Sequence, residues 1–406
     1  MRKILILTAG FGEGHNSAAR AVQAACNEQP GIEAELVDLF ALRAPRLNHV
    51  SRRAYLRLIN TAPRIWRRLY RWLDQSRHAP GLFRALAGHR RMLGRLIAEQ
   101  QPVAIISTYP VYAWLLNQLR REGHFFCPHF TVVTDALTIN SLWYGTASAG
   151  WFVTDHDSAA FLRVRGVPAD RIHVSGFPVA LAFADRPAHL NPPMPSIPEK
   201  CNVLRYTYPE TTPRVLFMIN TGRTRALAIA RALLAQPGWH LTITAGRDEA
   251  LRRELVALAA GAPAPCTVLG WTDRIPELLM THHVVISKAG GATTQESINA
   301  LCPLLVSQIV PGQEEGNYEL IRRHDAGALA ETPDAIVATL QRLFADDAAL
   351  WRHWRANLRT LARPAAARTI VATALEQNNS VLGATATPPS SGRGEVAASP
   401  EIPFVT

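Results

Sequence analysis

The chain has no apolar run of about 18 residues or longer, the length a helix needs to cross a bilayer, so any membrane contact is expected to be peripheral. Cysteine is scarce and scattered. Cys26, Cys127, Cys201, Cys266 and Cys302 form no Cys-x-x-Cys pair and are odd in number, which argues against a disulfide framework or a structural zinc site and fits a reducing cytoplasm. Acidic side chains are almost missing from residues 43–95, where Asp74 stands alone. The opening Met1-Arg2-Lys3-Ile4-Leu5-Ile6-Leu7 imitates a signal peptide, but Glu13 and His15 arrive before an adequate hydrophobic region and cleavage site develop, so export is not expected.

With 406 residues, 48% of them hydrophobic, the chain can bury two cores of ordinary domain size. Its formal net charge of +11 favours an acidic partner: nucleic acid, an anionic bilayer or a phosphorylated substrate. Much of that charge sits in the acid-poor stretch, with arginines at 43, 46, 52, 53, 57, 64, 67, 68, 71, 77, 84, 90, 91 and 95. Within it, Thr61-Ala62-Pro63 reads as a helix start, and Ile65, Trp66, Leu69, Tyr70, Trp72 and Leu73 follow at helical spacing. Arg64, Arg67, Arg68 and Arg71 take the opposite side. Such a helix is either interfacial on anionic lipid or an ordinary surface helix whose aromatics pack on their own domain. Nucleic acid is not expected as a partner, because no recognition motif accompanies the charge.

The most informative stretch is Val284-Val285-Ile286-Ser287-Lys288-Ala289-Gly290-Gly291-Ala292-Thr293-Thr294-Gln295-Glu296-Ser297. A short apolar strand turns through paired glycines into a helix whose first N–H groups have no intrahelical acceptor, which suits a diphosphate. One turn into that helix, Glu296 can accept bonds from the neighbouring hydroxyls of a ribose, or simply stabilise the helix start. A second strand, Leu304-Leu305-Val306, leads to Pro311-Gly312-Gln313-Glu314-Glu315-Gly316-Asn317, which gathers polar groups beside the first loop. Near the N-terminus, the strand Ile4–Thr8 feeds Ala9-Gly10-Phe11-Gly12-Glu13-Gly14-His15, a glycine-rich turn ending on histidine and running into an Ala-rich helix.

Together these segments resemble the monogalactosyldiacylglycerol synthase and processive diacylglycerol glucosyltransferase family, relatives of the enzyme that completes lipid-linked peptidoglycan precursors. The matching patterns are Lys-Ala-Gly-x-x-Thr-x-x-Glu at 288–296, Pro-Gly-Gln-Glu-x-Gly-Asn at 311–317 and Gly-x-Gly-His at 12–15. The resemblance implies two facing Rossmann-like, doubly wound α/β domains with a cleft between them, the arrangement called GT-B. It also implies a donor site in which Glu296 holds the uridine ribose, Gly290, Gly291, Ala292 and Thr293 the diphosphate, and Gln313, Glu314 and Asn317 the sugar hydroxyls. Lys288, Ala289 and Gly14 join that donor site by their place in the motifs. His15 is implied as the base for an acceptor hydroxyl.

Further strands are expected over Glu33–Asp38, Val103–Thr108, Phe130–Thr134, Val215–Ile219, Leu241–Ala245 and Thr267–Leu269. Asp135, at the carboxyl end of its strand, joins His15 as a catalytic candidate, because ligands gather at such ends. The family pattern Val-Thr-Asp continues to a histidine; Asn140 stands about there and cannot exchange a proton near neutrality, so the acceptor side is expected to differ. Asp155-His156-Asp157 imitates a metal-binding Asp-x-Asp, but its place before Ser158-Ala159-Ala160 reads as a helix cap. The loop Asn220-Thr221-Gly222-Arg223-Thr224 has less glycine than in relatives, so Asn220 and Gly222 are donor-site candidates and Arg223 or Arg225 supplies charge to the diphosphate. Gly270-Trp271-Thr272 resembles a Gly-aromatic turn that flanks the uracil in this family, which implies that Trp271 stacks there; the alternative is a core aromatic at a domain edge.

The expected division is a first, acceptor-facing domain over 1–183, a proline-rich linker over 184–213, a donor domain over 214–377 and a disordered tail over 378–406. Helices are expected at Asp334–Phe344, Ala348–Leu361 and Ala365–Gln377, the last packing back across the first domain. The expected chemistry is inverting transfer of a hexose from a UDP-sugar to a lipid hydroxyl at the inner face of the cell membrane, without metal or redox cofactor. A polyprenyl-linked or other amphiphilic acceptor, and a UDP-sugar epimerase, are the alternatives.

An interfacial role for the arginine helix predicts sedimentation with anionic vesicles at low salt and release at high salt, since each engaged arginine contributes about 1 kcal/mol before screening. A variant carrying R64E, R67E, R68E and R71E should stay in the supernatant. Equal pelleting of both proteins, or of neither, would return the segment to an ordinary surface helix.

Overall fold

The computed structural model describes residues 1–43, 86–124, 127–137, 139–187, 190–195, 211–310 and 314–385. The membrane candidates Arg64, Trp66, Arg67, Arg68, Tyr70, Arg71 and Trp72, the donor candidate Gln313 and the tail beyond 385 lie outside the described residues.

The first sheet is built from β1 (Arg2–Leu7), β2 (Ile32–Val37), β3 (Ala104–Ser107), β4 (His129–Val132), β5 (Gly150–Val153) and β6 (Ile172–Val174), all parallel, in the order β2-β1-β3-β4-β5-β6. Among the described residues its helices are α1 (Glu13–Asn27), α2 (Leu39–Arg43), α3 (Ala87–Gln100), α4 (Val111–Arg121) and α5 (His156–Val164). Alternation along β1 explains the layering. Ile4 and Ile6 join one buried cluster with Ala19 and Val22 of α1, while Leu5 and Leu7 join another with Leu93 and Ile97 of α3 and Leu115 and Leu116 of α4.

The second sheet repeats the plan with β7 (Arg214–Met218), α6 (Arg223–Leu234), β8 (His240–Thr244), α7 (Glu249–Ala259), β9 (Cys266–Leu269), α8 (Ile275–Thr281), β10 (Val284–Lys288), α9 (Gly291–Ala300), β11 (Leu304–Gln308), α10 (Glu315–Arg323) and β12 (Gly327–Leu329). Its order is β12-β11-β10-β7-β8-β9, again parallel throughout. In each sheet the winding reverses beside the first strand, between β1 and β3 and between β7 and β10. Loops leaving such neighbouring strands diverge to opposite faces and open a crevice at the carboxyl ends, and the two crevices face each other.

The remaining helices close the molecule. Helix α11 (Pro333–Leu361) is interrupted at residues 345–348, where Asp346, Asp347 and Ala348 take left-handed angles, so the two helices expected there exist as halves of one kinked element. Helix α12 (Ala366–Thr385) returns to the first domain, where Ala367, Ile370, Val371 and Ala374 complete the cluster containing Ile4, Ile6 and Val22. By packing, this last helix belongs to the first domain rather than to the 214–377 unit. The other expected boundary also moves, since Phe177, Val179 and Phe183 are buried with Leu216, Val285 and Leu304 of the second domain. The chain passes between domains near Gly176, whose φ is +91° and where a β-carbon would fall 2.4 Å from Arg363 Cβ on the returning segment. Arg186 ties the outgoing segment to the second domain through the Ala300 and Met280 carbonyls, at 2.7 and 2.9 Å.

Because Ile370 is buried in the first domain's core, Ile370→Ala should cost about 2–5 kcal/mol. Hydrogen exchange should locate the loss in β1, β3 and α1; unchanged protection there would show that α12 is only laid against the surface.

Candidate active site

The two crevices share one cavity of about 490 Å³, bounded by residues 10–15, Thr134 and Asp135 on one side and by residues 218–220, Thr244, Gly246, Lys288, residues 290–293, Glu314 and Asn317 on the other. Two helices start at its walls. Helix α1 begins after Gly12 and α9 after Gly290, and neither has a side-chain cap. Their first-turn N–H groups and the positive ends of both dipoles therefore remain available to an anion. The walls come close: a β-carbon added to Gly14 would stand 3.8 Å from the Ala292 amide nitrogen, and one added to Gly291 would stand 3.5 Å from the Thr134 carbonyl oxygen.

On the first-domain wall, His15 Nδ1 lies 2.8 Å from the Thr108 carbonyl oxygen and 2.9 Å from Thr134 Oγ1. A carbonyl oxygen only accepts, so Nδ1 carries the ring proton and Nε2 keeps its lone pair. Burial lowers the His15 pKa from 6.5 to about 4, against an opposing pull from the Thr108 carbonyl, so the imidazole is neutral at physiological pH. Asp135 accepts from the Trp143 indole at 2.7 Å, and burial raises its pKa to about 6. Asn140, which occupies the expected histidine position, is itself buried; its Oδ1 accepts the Leu142 N–H at 3.0 Å and caps the short turn that delivers Trp143 to Asp135. Tyr109 packs edge-on against His15 and, with Phe11 and Phe40, forms an aromatic wall beside it.

On the second-domain wall, the β10–β11 register shifts between Ser287 and Lys288, so Lys288 pairs with Gln308 and Ser307 is the extra residue. A bulge of this kind re-aims the side chain beside it. Lys288 Nζ reaches Glu314 Oε1 at 2.5 Å, while Glu314 Oε2 accepts the Val310 N–H at 2.9 Å. Asn220 splints the bulge, accepting the Lys288 N–H at 3.1 Å and donating to Ser287 Oγ at 2.6 Å. Asn317 donates to the Ala289 carbonyl at 3.0 Å, and Ala289 itself is fully buried behind the loop.

Several residues expected at the donor are placed elsewhere. Arg223 is turned outward at the start of α6, paired with Glu254 at 2.6 Å and Asp248 at 3.8 Å on and beside α7. Arg225 is held by the Glu331 carbonyl at 2.5 Å and by the carbonyl of the bulged Ser307, so neither arginine supplies charge to the cavity. Gly222 and Trp271 are not among the lining residues; Trp271 is 62% exposed with the Arg247 guanidinium 5.2 Å over its ring, and is not an edge aromatic buried in the core. Glu296 faces α1, where Ser17 Oγ donates to its Oε1 at 3.3 Å, because α9 packs against α1 and turns this carboxylate into the seam between domains. Asp155 caps α5 through the Ser158 N–H at 2.7 Å, and Asp157 pairs with Arg323. Thr108 and Thr134 were not anticipated as site residues; the available signal was their position at the ends of β3 and β4.

Residues 15–179 match the monogalactosyldiacylglycerol (MGDG) synthase family. Over 383 residues, 93% of this chain and 94% of the relative, the sequence is 26% identical to a processive diacylglycerol beta-glucosyltransferase of Bacillus thuringiensis (strain Al Hakam). The chain is thus similar to the monogalactosyldiacylglycerol synthases over its first domain and to the processive diacylglycerol glucosyltransferases over most of its length. The match extends to the like-named protein of Bacillus cereus (strain AH820), 25% identical with the same coverage. Among solved structures, Acinetobacter baumannii MurG aligns with a TM-score of 0.58 at 14% identity, covering 93% of this chain and 100% of that one. A Staphylococcus aureus MnaA–UDP structure aligns with a TM-score of 0.60 at 12% identity, covering 97% and 100%. Both likenesses establish the two-domain GT-B fold for this chain.

Burial raises the Glu296 pKa from 4.5 to about 7, with Ser17 and Arg20 opposing. Between those values the folded protein holds a proton that the unfolded chain has released, so this group's contribution to stability falls as pH rises from about 4.5 to about 7 and stays low above it. Glu296→Gln should therefore be the more stable protein at pH about 8, with the advantage shrinking toward pH about 5. Urea denaturation at the two pH values, with no pH-dependent difference between the proteins, would place Glu296 in solvent instead.

Proposed function

We propose that this protein transfers a hexose from a UDP-sugar to the hydroxyl of a diacylglycerol-type lipid, with inversion at the sugar carbon. The observation that carries the reading is the pair of uncapped helix starts, α1 and α9, facing one cavity that also holds a neutral imidazole with a free Nε2. Backbone amides aimed at a departing diphosphate stabilise the charge that develops as the sugar bond breaks, and Lys288 adds a cation beside them. On this reading no metal ion or redox cofactor is required. His15 removes the acceptor proton at Nε2 while the acceptor oxygen attacks the sugar carbon from the side opposite the diphosphate. Glu314 and Asn317, which line the cavity, would read the sugar hydroxyls.

The lipid acceptor is favoured by the names of the relatives and by the aromatic wall of Phe11, Phe40 and Tyr109 beside His15, an apolar approach for a glycerol bearing acyl chains. Docking on the inner face of the membrane through the arginine-rich stretch completes the proposal. A UDP-sugar epimerase is the second reading, because a Neisseria meningitidis UDP-GlcNAc 2-epimerase bound to UDP-GlcNAc shares the fold, with a TM-score of 0.58 at 13% identity.

Incubation with UDP-glucose and UDP-galactose, with and without diacylglycerol vesicles, separates the two. A transferase releases UDP and forms glycolipid only with the vesicles, whereas an epimerase converts the nucleotide sugar without them. His15→Ala should reduce turnover about a hundredfold or more and leave UDP affinity near that of the wild type. Near-normal turnover in that variant would remove His15 from the reaction.

A further inference from the structure

Most acid–base histidines have their Nδ1–H oriented by a carboxylate. Here the carboxylate that the sequence singles out, Asp135, is engaged by the Trp143 indole at 2.7 Å, and His15 Nδ1 is met by two neutral oxygens instead, the Thr108 carbonyl at 2.8 Å and Thr134 Oγ1 at 2.9 Å. Since the carbonyl can only accept, both contacts are satisfied together when one Nδ1–H is shared between them and Thr134 acts as an acceptor. Thr108 is fully buried, and its own hydroxyl donates to the His15 carbonyl at 3.0 Å, so one residue clamps both the main chain and the ring of the histidine. Thr134 is 6% exposed at the carboxyl end of β4 and lines the cavity.

We propose that Thr134 is a positioning residue for His15, forming with the Thr108 carbonyl a two-oxygen cradle that fixes the Nδ1–H tautomer and stabilises the imidazolium formed during transfer. The inference rests on the transferase reading. In the step it supports, the acceptor O–H bond breaks and an Nε2–H bond forms, while the acceptor oxygen bonds to the sugar carbon and the diphosphate leaves with the electron pair of the broken C–O bond. The positive charge left on the ring is delocalised to Nδ1–H, where both oxygens strengthen their bonds to it. Neutral oxygens favour the charged ring less than a carboxylate would, so burial prevails over the pull of the Thr108 carbonyl and the resting ring stays uncharged beside the cavity.

Nitrogen-15 NMR of the full-length protein labelled at histidine should show His15 with its proton on Nδ1 and none on Nε2, and an Nδ1–H slow to exchange. Thr134→Val, of nearly the same shape, should speed that exchange and lower kcat about tenfold or more, with KM for the UDP-sugar within about twofold. Thr134→Ser should restore both. A wild-type proton on Nε2, wild-type kcat in the valine variant, or a serine variant as slow as valine would each overturn the cradle. A wild type that transfers no sugar to any lipid would instead sink the transferase reading, and the exchange rates of the valine and serine variants would still decide whether the cradle exists.

Discussion

Everything at the cleft depends on the starts of two helices in different domains, neither of which has a side-chain cap. An unpaired amide is tolerable only where an anion or water can reach it, and two sets facing each other define a space suited to a doubly anionic group. The surrounding bonds keep these helix starts apart and aligned. Asp38 accepts the Gly10 N–H at 2.9 Å and fixes the first loop, while Asn220 grips the bulge at Lys288 and fixes the second. Side-chain polarity in the site is devoted as much to holding backbone as to meeting ligand.

The same economy of charge appears among the cations. Among the lining residues Lys288 is the only Lys or Arg, and its ammonium is already matched by Glu314, so fixed dipoles rather than mobile side chains set much of the cavity's positive potential. The arginines that flank the site serve the scaffold. Arg225 takes the carbonyl of the bulged Ser307, and Arg223 braces α6 against α7. A guanidinium is well suited to collecting carbonyls, because its fixed fork of donors satisfies several acceptors at once.

Much of this was legible in the sequence because it depends on local chemistry. Glycine pairs after short apolar runs mark Gly10–Gly14 and Gly290–Gly291, and an Asp before Ser158-Ala159-Ala160 marks the α5 cap. What was not legible depends on partners far apart in the chain. The His15 cradle joins residues 93 and 119 positions away, and neither the strand end at Thr108 nor the Val-Thr-Asp pattern around Thr134 shows that they meet at one ring nitrogen. Arg223 and Arg225 were misplaced because their destinations, Glu254 and a carbonyl freed by a register shift, exist only once the sheet has formed. Strands β6 and β12 were too short, at three residues each, to show a period.

The return of α12 to the first domain imposes an order on synthesis. A chain emerging from the ribosome presents Ile4, Ile6 and Val22 early, yet the side chains that cover them, from Ala367 to Ala374, emerge only after the whole second domain. The second domain's clusters draw mainly on residues 177–361 and can close while the C-terminus is still being made. The domain translated first therefore completes its core only after the second domain has been translated, and until then it carries an exposed apolar sheet face of the kind that chaperones bind.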